Sequence, residues 1–180
     1  MQELIVGVDI GTTRIKAAAF DEAGQALVHS DTPTPYLYNW NSLLCFDAEA
    51  CVRDVYKVLR NVAEQLSDQQ RIVALVCTNQ RATFVPLDSQ NLSIGPAVSW
   101  QDTSCSPAIH TIEDTVGKAG FSSITGLPPS PLWSVIKILH LRESFAEDFQ
   151  RVSRFALLND YLLHSLGADK LLTDASNASV

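Results

Sequence analysis

The chain begins with alternating and continuous apolar stretches separated by short polar breaks. Leu4 to Val8 run apolar into Asp9, and RIKAAAF (14–20) follows after a tight break. QALVHSD (25–31) comes next, beyond DEAG (21–24), whose glycine is free to take a positive φ in a hairpin turn. Three short strands in hairpin succession predict an antiparallel meander. PTPYLYNWN (33–41) is aromatic and punctuated by two prolines, which predicts a packed loop rather than a central strand. Asp47 then has the chemistry of a helix N-cap. Val52, Val55, Leu59, Val62 and Leu66 recur behind it at three and four, the stripe of an amphipathic helix.

IVALVC (72–77) is short, apolar and β-branched, which predicts a buried strand with Cys77 in the core. ATFVPLD (82–88) and PAVSW (96–100) read as two more short strands. From there the pattern turns helical. A weaker helix over 106–120 ends at Gly120. A second over 132–143 starts behind Pro131, with Leu132, Val135, Ile136 and Leu139 on one face and Lys137 on the solvated side. A third over 155–167 closes at Gly167. Hairpin strands, helix, strand, short strands and helices in that order predict an α/β fold with a mixed sheet.

At 180 residues, 46% of them hydrophobic and 18% charged, the chain can bury a real core as one domain. A net charge of −7 disfavours a nucleic-acid backbone or an anionic membrane surface as the main partner. No apolar run approaches the roughly 20 residues that span a bilayer. No basic segment followed by a long apolar one opens the chain, so a cytoplasmic location is expected. The four cysteines, at 45, 51, 77 and 105, form no CxxC pair and no zinc-like spacing with the histidines at 29, 110, 140 and 164. Reduced thiols are the expectation.

The break between the first two strands, Asp9-Ile10-Gly11-Thr12-Thr13, carries candidate chemistry. Glycine permits a sharp turn and a close approach of backbone N–H groups to an anion. Thr12 and Thr13 add hydroxyls. Asp9 offers the hard oxygen that Mg²⁺ prefers, and Lys16 can neutralise phosphate charge. A plain β-turn uses the same residue types, so these residues alone leave both readings open. The G-x-x-x-x-G-K-[ST] spacing of a Walker loop is absent, and the segment joins strand to strand.

GVDIGTTRIKAAAFDEAG (7–24) resembles the first phosphate motif of the FGGY carbohydrate kinases, members of the actin/hexokinase-like ATPase superfamily. TNQRATFVPLD (78–88) resembles that family's T-x-Q-R segment, and PAVSWQDTS (96–104) its W-x-D segment. TGLPPSPLWSVIKILHLRE (125–143) is similar to its T-G-x-x-x-x-P-x-x-S-x-x-K stretch. LLNDYLLHSLGADKLLTDASNAS (157–179) is similar to its D-Y-L … T-D-x-S-x-A-S segment. Five motifs in order cover essentially the whole chain.

The resemblance implies a ribonuclease H-like (actin-like ATPase) domain over 1–180, with the antiparallel meander inside a mixed sheet flanked by helices. It implies ATP and Mg²⁺ as cofactors. Asp9 would act at the metal, and Gly11, Thr12, Thr13 and Lys16 at phosphate. Gln80, Arg81 and Asp102 would approach the hydroxyls of a sugar or polyol, and Trp100 and Trp133 would wall that pocket. Asp174 would sit in a loop bounding the cleft. An Arg81–Asp102 surface ion pair and core tryptophans are the plainer alternatives. The general base and the adenine pocket would lie beyond Val180, in a C-terminal kinase domain that this chain lacks, so the chain alone is expected to be inactive. A truncated, non-catalytic sugar-binding or regulatory relative is the alternative. The family's habits admit a homodimer.

Two departures bear on the substrate. Ala82 stands where glycerol kinases carry a glutamate, and Leu132 where they carry a tyrosine. Losing two polar contacts to a polyol shifts preference strongly away from glycerol. Gln80-Arg81 also replaces the methionine–histidine pair of many xylulokinases.

Overall fold

The structure is a computed structural model that describes residues 1–35, 37–40 and 42–179. It divides into two compact units. The first comprises Met1–Tyr36, Asp47–Gln80 and Leu162–Leu172. The second comprises Leu37–Phe46, Arg81–Tyr161 and Thr173–Val180.

In the first unit, β1 (Gln2–Ile10), β2 (Arg14–Phe20), β3 (Ala26–Pro33) and β6 (Gln70–Asn79) form a sheet in the order β3-β2-β1-β6. The meander is antiparallel and β6 lies parallel to β1, which makes the sheet mixed. The β2–β3 turn uses Gly24 at φ 76°, and the Asp21 carboxylate accepts from the N–H groups of Ala23 and Gln25. Side chains alternate as a one-sided sheet requires. Leu4, Val6, Val8, Ile10, Ile15, Ala17 and Ala19 are buried, while Ile5, Asp9 and Lys16 are exposed. Helix α1 (Ala48–Glu64) packs across β2 and β3 and starts at Asp47, whose carboxylate accepts from the Ala50 N–H at 2.9 Å. Its buried face is Ala48, Cys51, Val55, Val58 and Val62, rotated from the stripe the sequence suggested. Leu66 lies past its end.

β6 departs from expectation. Ile72, Val73, Leu75 and Val76 are 39–58% exposed, and Cys77 is half-buried. The strand has the composition of a central strand but sits at the sheet edge, and among the described residues no strand pairs with its outer side.

The second unit has its own antiparallel sheet, which the sequence did not reveal. β4 (Tyr38–Trp40), β5 (Leu43–Phe46), β7 (Phe84–Leu87), β8 (Ala97–Val98) and β9 (Arg154–Leu157) lie in the order β4-β5-β8-β7-β9. The expected loop over 33–41 therefore contains an edge strand after its prolines; Tyr36 and Asn41 lie outside the described residues, as does Val180. The expected helix over 155–167 is a strand followed by a helix, α5 (Leu158–Ser165). Phe84 to Leu87 recruit Arg154 to Leu157 as sheet partners, and Phe84 meets Phe155 edge-to-face at 5.3 Å. Leu43, Cys45, Phe84, Val98 and Leu141 form the core beneath.

A 3₁₀ turn (Ser106–Ala108) leads into α2 (Ile109–Thr125), which is kinked at Gly117 and capped by left-handed Gly126 rather than ended by Gly120. α3 (Ser134–Ser144), α4 (Ala146–Arg151) and the short α6 (Ala175–Ala178) complete the unit. On α3, Val135 is 44% exposed and Lys137 fully buried, the reverse of the expected faces.

Candidate functional site

The β1–β2 hairpin gives the first group of candidate residues its shape. Ile10 and Ile15 are the last paired residues, and the Gly11 N–H closes the loop on the Arg14 carbonyl at 3.1 Å. A Cβ added at Gly11 would stand 3.0 Å from that carbonyl oxygen, so the loop is too tight for any other residue without movement. Thr12 and Thr13 are exposed, and among the described residues neither donates a hydrogen bond. Their N–H groups and hydroxyls are therefore available to an anion.

Asp9 and Lys16 face each other across β1 and β2, and Asp31 of β3 pairs with Lys16 on the next strand. Lys16 is exposed. The Arg14 guanidinium pairs with the Asp31 carboxylate. β1 and β6 run parallel, so Asp9 stands beside Thr78 at their carboxyl ends, where open α/β sheets bind ligands. The Gln80 N–H donates to the Ile10 carbonyl at 2.9 Å, which sets Gln80 at the base of the hairpin. An open groove of about 480 Å³ along this sheet face is lined by Asp9, Lys16, Phe20, His29, Asp31 and Thr78, among others.

The second group is organised around Ala82 and Thr83, in the second unit. Ala82 is buried with φ 57°, a left-handed backbone that a non-glycine residue adopts at a cost. Its carbonyl accepts from Ser134 Oγ at 3.3 Å. Thr83 Oγ1 accepts from the Trp100 N–H at 3.1 Å, and the Thr83 carbonyl from the Leu158 N–H at 2.9 Å. Arg81 is exposed and donates to the Ser176 carbonyl at 3.0 Å. Trp100 is half-buried. Trp133 leans on the cluster of Cys105, Ala108, Ile136 and Leu139, and its Nε1–H donates to the Pro128 carbonyl at 2.7 Å.

Asp102 differs from the expectation that it faces a ligand. It is 2% exposed, and its carboxylate accepts from the Leu44 N–H at 2.7 Å and from Ser104 Oγ at 3.0 and 3.1 Å. Leu44 and Ser104, rather than Arg81, are the partners that draw it inward. Asp174 caps α6: the Ser176 hydroxyl and the Asn177 side-chain amide donate to its carboxylate, as do the N–H groups of both residues, and these bonds hold its carboxyl well below the usual carboxylate range. Burial pushes the Asp160 carboxyl up.

Two contributors were not read from the sequence. Lys137 is fully buried, and its Nζ donates to the carbonyls of Pro131 and Leu132 at 2.5 and 3.0 Å, fixing the loop that carries Leu132 and Trp133. Burial holds its ammonium below the usual lysine range. Thr34 donates to two carbonyls of the hairpin, from Oγ1 to Gly11 at 2.8 Å and from N–H to Thr13 at 3.0 Å. Its only local signal is the P-T-P bracket.

Residues 4–180 match the FGGY family of carbohydrate kinases, N-terminal domain, and the chain belongs to that family. It is 30% identical to a glycerol kinase of Gluconobacter oxydans over 98% of its own length and 36% of that protein. It is 27% identical to a xylulose kinase of Lactococcus lactis over 88% of its length and 32% of the relative. The chain thus spans about a third of the relatives it matches. Among solved structures, a gluconate kinase from Lactobacillus acidophilus superposes with a TM-score of 0.90 at 20% identity, over 99% of this chain and 36% of that one. The fold is that of the actin-like ATPases.

Proposed function

We propose that this chain is the phosphate-gripping and acceptor-reading part of an ATP-dependent carbohydrate kinase, acting on a hydroxyl of a ketose, polyol or sugar acid. The observation that carries this reading is the hairpin at 11–14, where a Cβ at Gly11 would crowd the Arg14 carbonyl at 3.0 Å and, among the described residues, Thr12 and Thr13 keep donors without a protein partner. Such a loop at the carboxyl end of parallel strands suits a phosphate chain.

Thr12 and Thr13 donate to phosphate oxygens, and Lys16 offsets their charge. Asp9 is suited to a hydrated Mg²⁺. Among the described residues no three His, Cys, Asp or Glu side chains cluster as a metal cage. Such an ion would be held mostly by phosphate oxygens and water, with Asp9 as its one carboxylate. Bound Mg-ATP supplies the transferable phosphoryl group. Gln80, Arg81, Trp100 and Trp133 take the acceptor, with Asp102 ordering the turn behind Trp100. Ala82 and Leu132 supply no polar group where glycerol kinases have two, which favours a substrate other than glycerol.

Phosphoryl transfer also needs a positioned base and a nucleoside cradle. We place both outside these residues, in a C-terminal kinase domain, so that the 180-residue chain is one part of a working enzyme. The four cysteines are free thiols, which is in keeping with a cytoplasmic protein. No helix among the described residues is long and apolar enough to cross a membrane.

A coupled ADP-release assay with Mg-ATP and a panel of ketoses, polyols and sugar acids tests the reading. The chain alone is expected to be silent, and a longer polypeptide that includes the second domain to turn over one panel member. Turnover by the chain alone would refute the division of labour. Binding of a sugar with no turnover by the longer polypeptide would point to a non-catalytic relative.

A further inference from the structure

We propose that Thr34 is a positioning residue that sets the donor face of the phosphate hairpin. The proposal rests on the phosphate reading of residues 11–13 given above.

A loop that binds an anion through backbone N–H groups must turn its carbonyl oxygens elsewhere, because their partial negative charge opposes the ligand. In this hairpin one residue takes two of those carbonyls. Thr34 Oγ1 donates to the Gly11 carbonyl at 2.8 Å, and the Thr34 N–H to the Thr13 carbonyl at 3.0 Å. The Arg14 carbonyl is held in turn by the Gly11 N–H at 3.1 Å. The donors of Thr12 and Thr13 are left without a protein partner among the described residues.

The clamp is stiff for reasons legible in the chain. Thr34 is 8% exposed, so water competes poorly for its hydroxyl. Pro33 and Pro35 bracket it. Neither has an N–H, so Thr34 supplies the only backbone donor of this tripeptide, and Pro35 restricts Thr34 itself to extended backbone. The β2–β3 register pairs Arg14 with Pro33, which delivers Thr34 beside Thr13. Threonine also fits the geometry: both its N–H and its hydroxyl are used, toward carbonyls two residues apart.

The test compares the chain with Thr34→Val, which keeps the shape and deletes the hydroxyl, and Thr34→Ser, which keeps the hydroxyl. The probe is inorganic tripolyphosphate with Mg²⁺, followed through backbone amide shifts of ¹⁵N-labelled chain. Amide exchange at Gly11, measured without ligand, reports hairpin closure independently.

Thr34→Val is expected to weaken tripolyphosphate binding about tenfold, the loss of roughly one buried hydrogen bond. It should also speed Gly11 exchange by a similar factor. Thr34→Ser is expected to stay within about threefold of the parent on both readouts. If Thr34→Val fails to fold, Thr34→Ala replaces it in the comparison. A purely structural threonine would lower the unfolding temperature yet leave affinity unchanged, and that result would overturn the proposal. Unchanged Gly11 exchange in Thr34→Val would overturn the clamp itself. If the parent chain shows no tripolyphosphate shifts at the hairpin while the clamp is seen by exchange, the phosphate reading fails, and with it the function assigned to Thr34.

Discussion

Replacing Gly11 by alanine tests the geometry of the hairpin at a single methyl group. The added Cβ would lie 3.0 Å from the Arg14 carbonyl oxygen, closer than carbon and oxygen normally approach. That oxygen belongs to the backbone of β2 and already accepts from the Gly11 N–H, so it cannot swing aside as a flexible side chain would. Relief requires the loop to open, which also strains the bond from Thr34 to the Gly11 carbonyl. Overpacking of this kind costs about 1–3 kcal/mol. For a chain of this size that is a fall of about 2–12 °C in unfolding temperature.

Gly7→Ala is the matched control. Its Cβ would meet the Phe20 ring at 3.5 Å, an ordinary contact, on a strand without positive φ. Replacing glycine there lowers the entropy of the unfolded chain, so stability should hold or rise by up to about 1 kcal/mol. Thermal unfolding by circular dichroism, with tripolyphosphate binding measured alongside, reads both variants. Gly11→Ala should lose stability and phosphate affinity together. A Gly11→Ala chain as stable as the parent, or a Gly7→Ala chain equally damaged, would rule out steric crowding at the hairpin as the cause.

Asp102→Ala should cost about 1–3 kcal/mol in a urea titration, because the buried Leu44 N–H and Ser104 hydroxyl lose their acceptor, while Asp102→Asn keeps most of that stability. A loss under about 0.5 kcal/mol would place the carboxylate elsewhere. Lys137 is harder to protonate in the fold than in the unfolded chain, so its charge opposes folding below its lowered pKa. That penalty fades as pH rises toward 10.5. The stability of the parent relative to Lys137→Met should therefore rise with pH through the alkaline range; a flat difference would contradict the burial. Burial pushes the thiols of Cys45 and Cys51 up to about 12 and that of Cys105 to about 11; it raises that of Cys77 as well, but Cys77 is half-buried on an edge strand while the other three are fully buried. A thiol reagent at mildly alkaline pH should modify Cys77 first in the native chain, as peptide mapping would show; earlier labelling of any other cysteine would contradict that order.

The meander and α1 were legible because their determinants are local. D-E-A-G closes a hairpin, and Asp47 caps the helix that follows. The tight strand-to-strand turn at 11–14 was legible for the same reason. What was misread depends on distant partners. FALL (155–158) is apolar throughout and suits a helix or a strand, and pairing with Phe84 to Leu87, some seventy residues earlier in the chain, decides for a strand over most of it. The second sheet is built of strands of two to four residues, too short to display a period. β6 has the sequence of a strand covered on both faces, yet lies at an edge. Lys137 occupies a helical position that reads as solvated, and only the carbonyls of Pro131 and Leu132 explain its burial. Asp102 stands in a W-x-D motif, and the motif does not show that its carboxylate also accepts from Leu44 N–H, 58 residues away.

The most direct test of the central claim is a titration of the ¹⁵N-labelled chain with Mg-tripolyphosphate, observed at backbone amides. Saturable shifts centred on Gly11, Thr12, Thr13 and Lys16 are expected. Saturable shifts centred anywhere else, or none at concentrations well into the millimolar range, would contradict that claim.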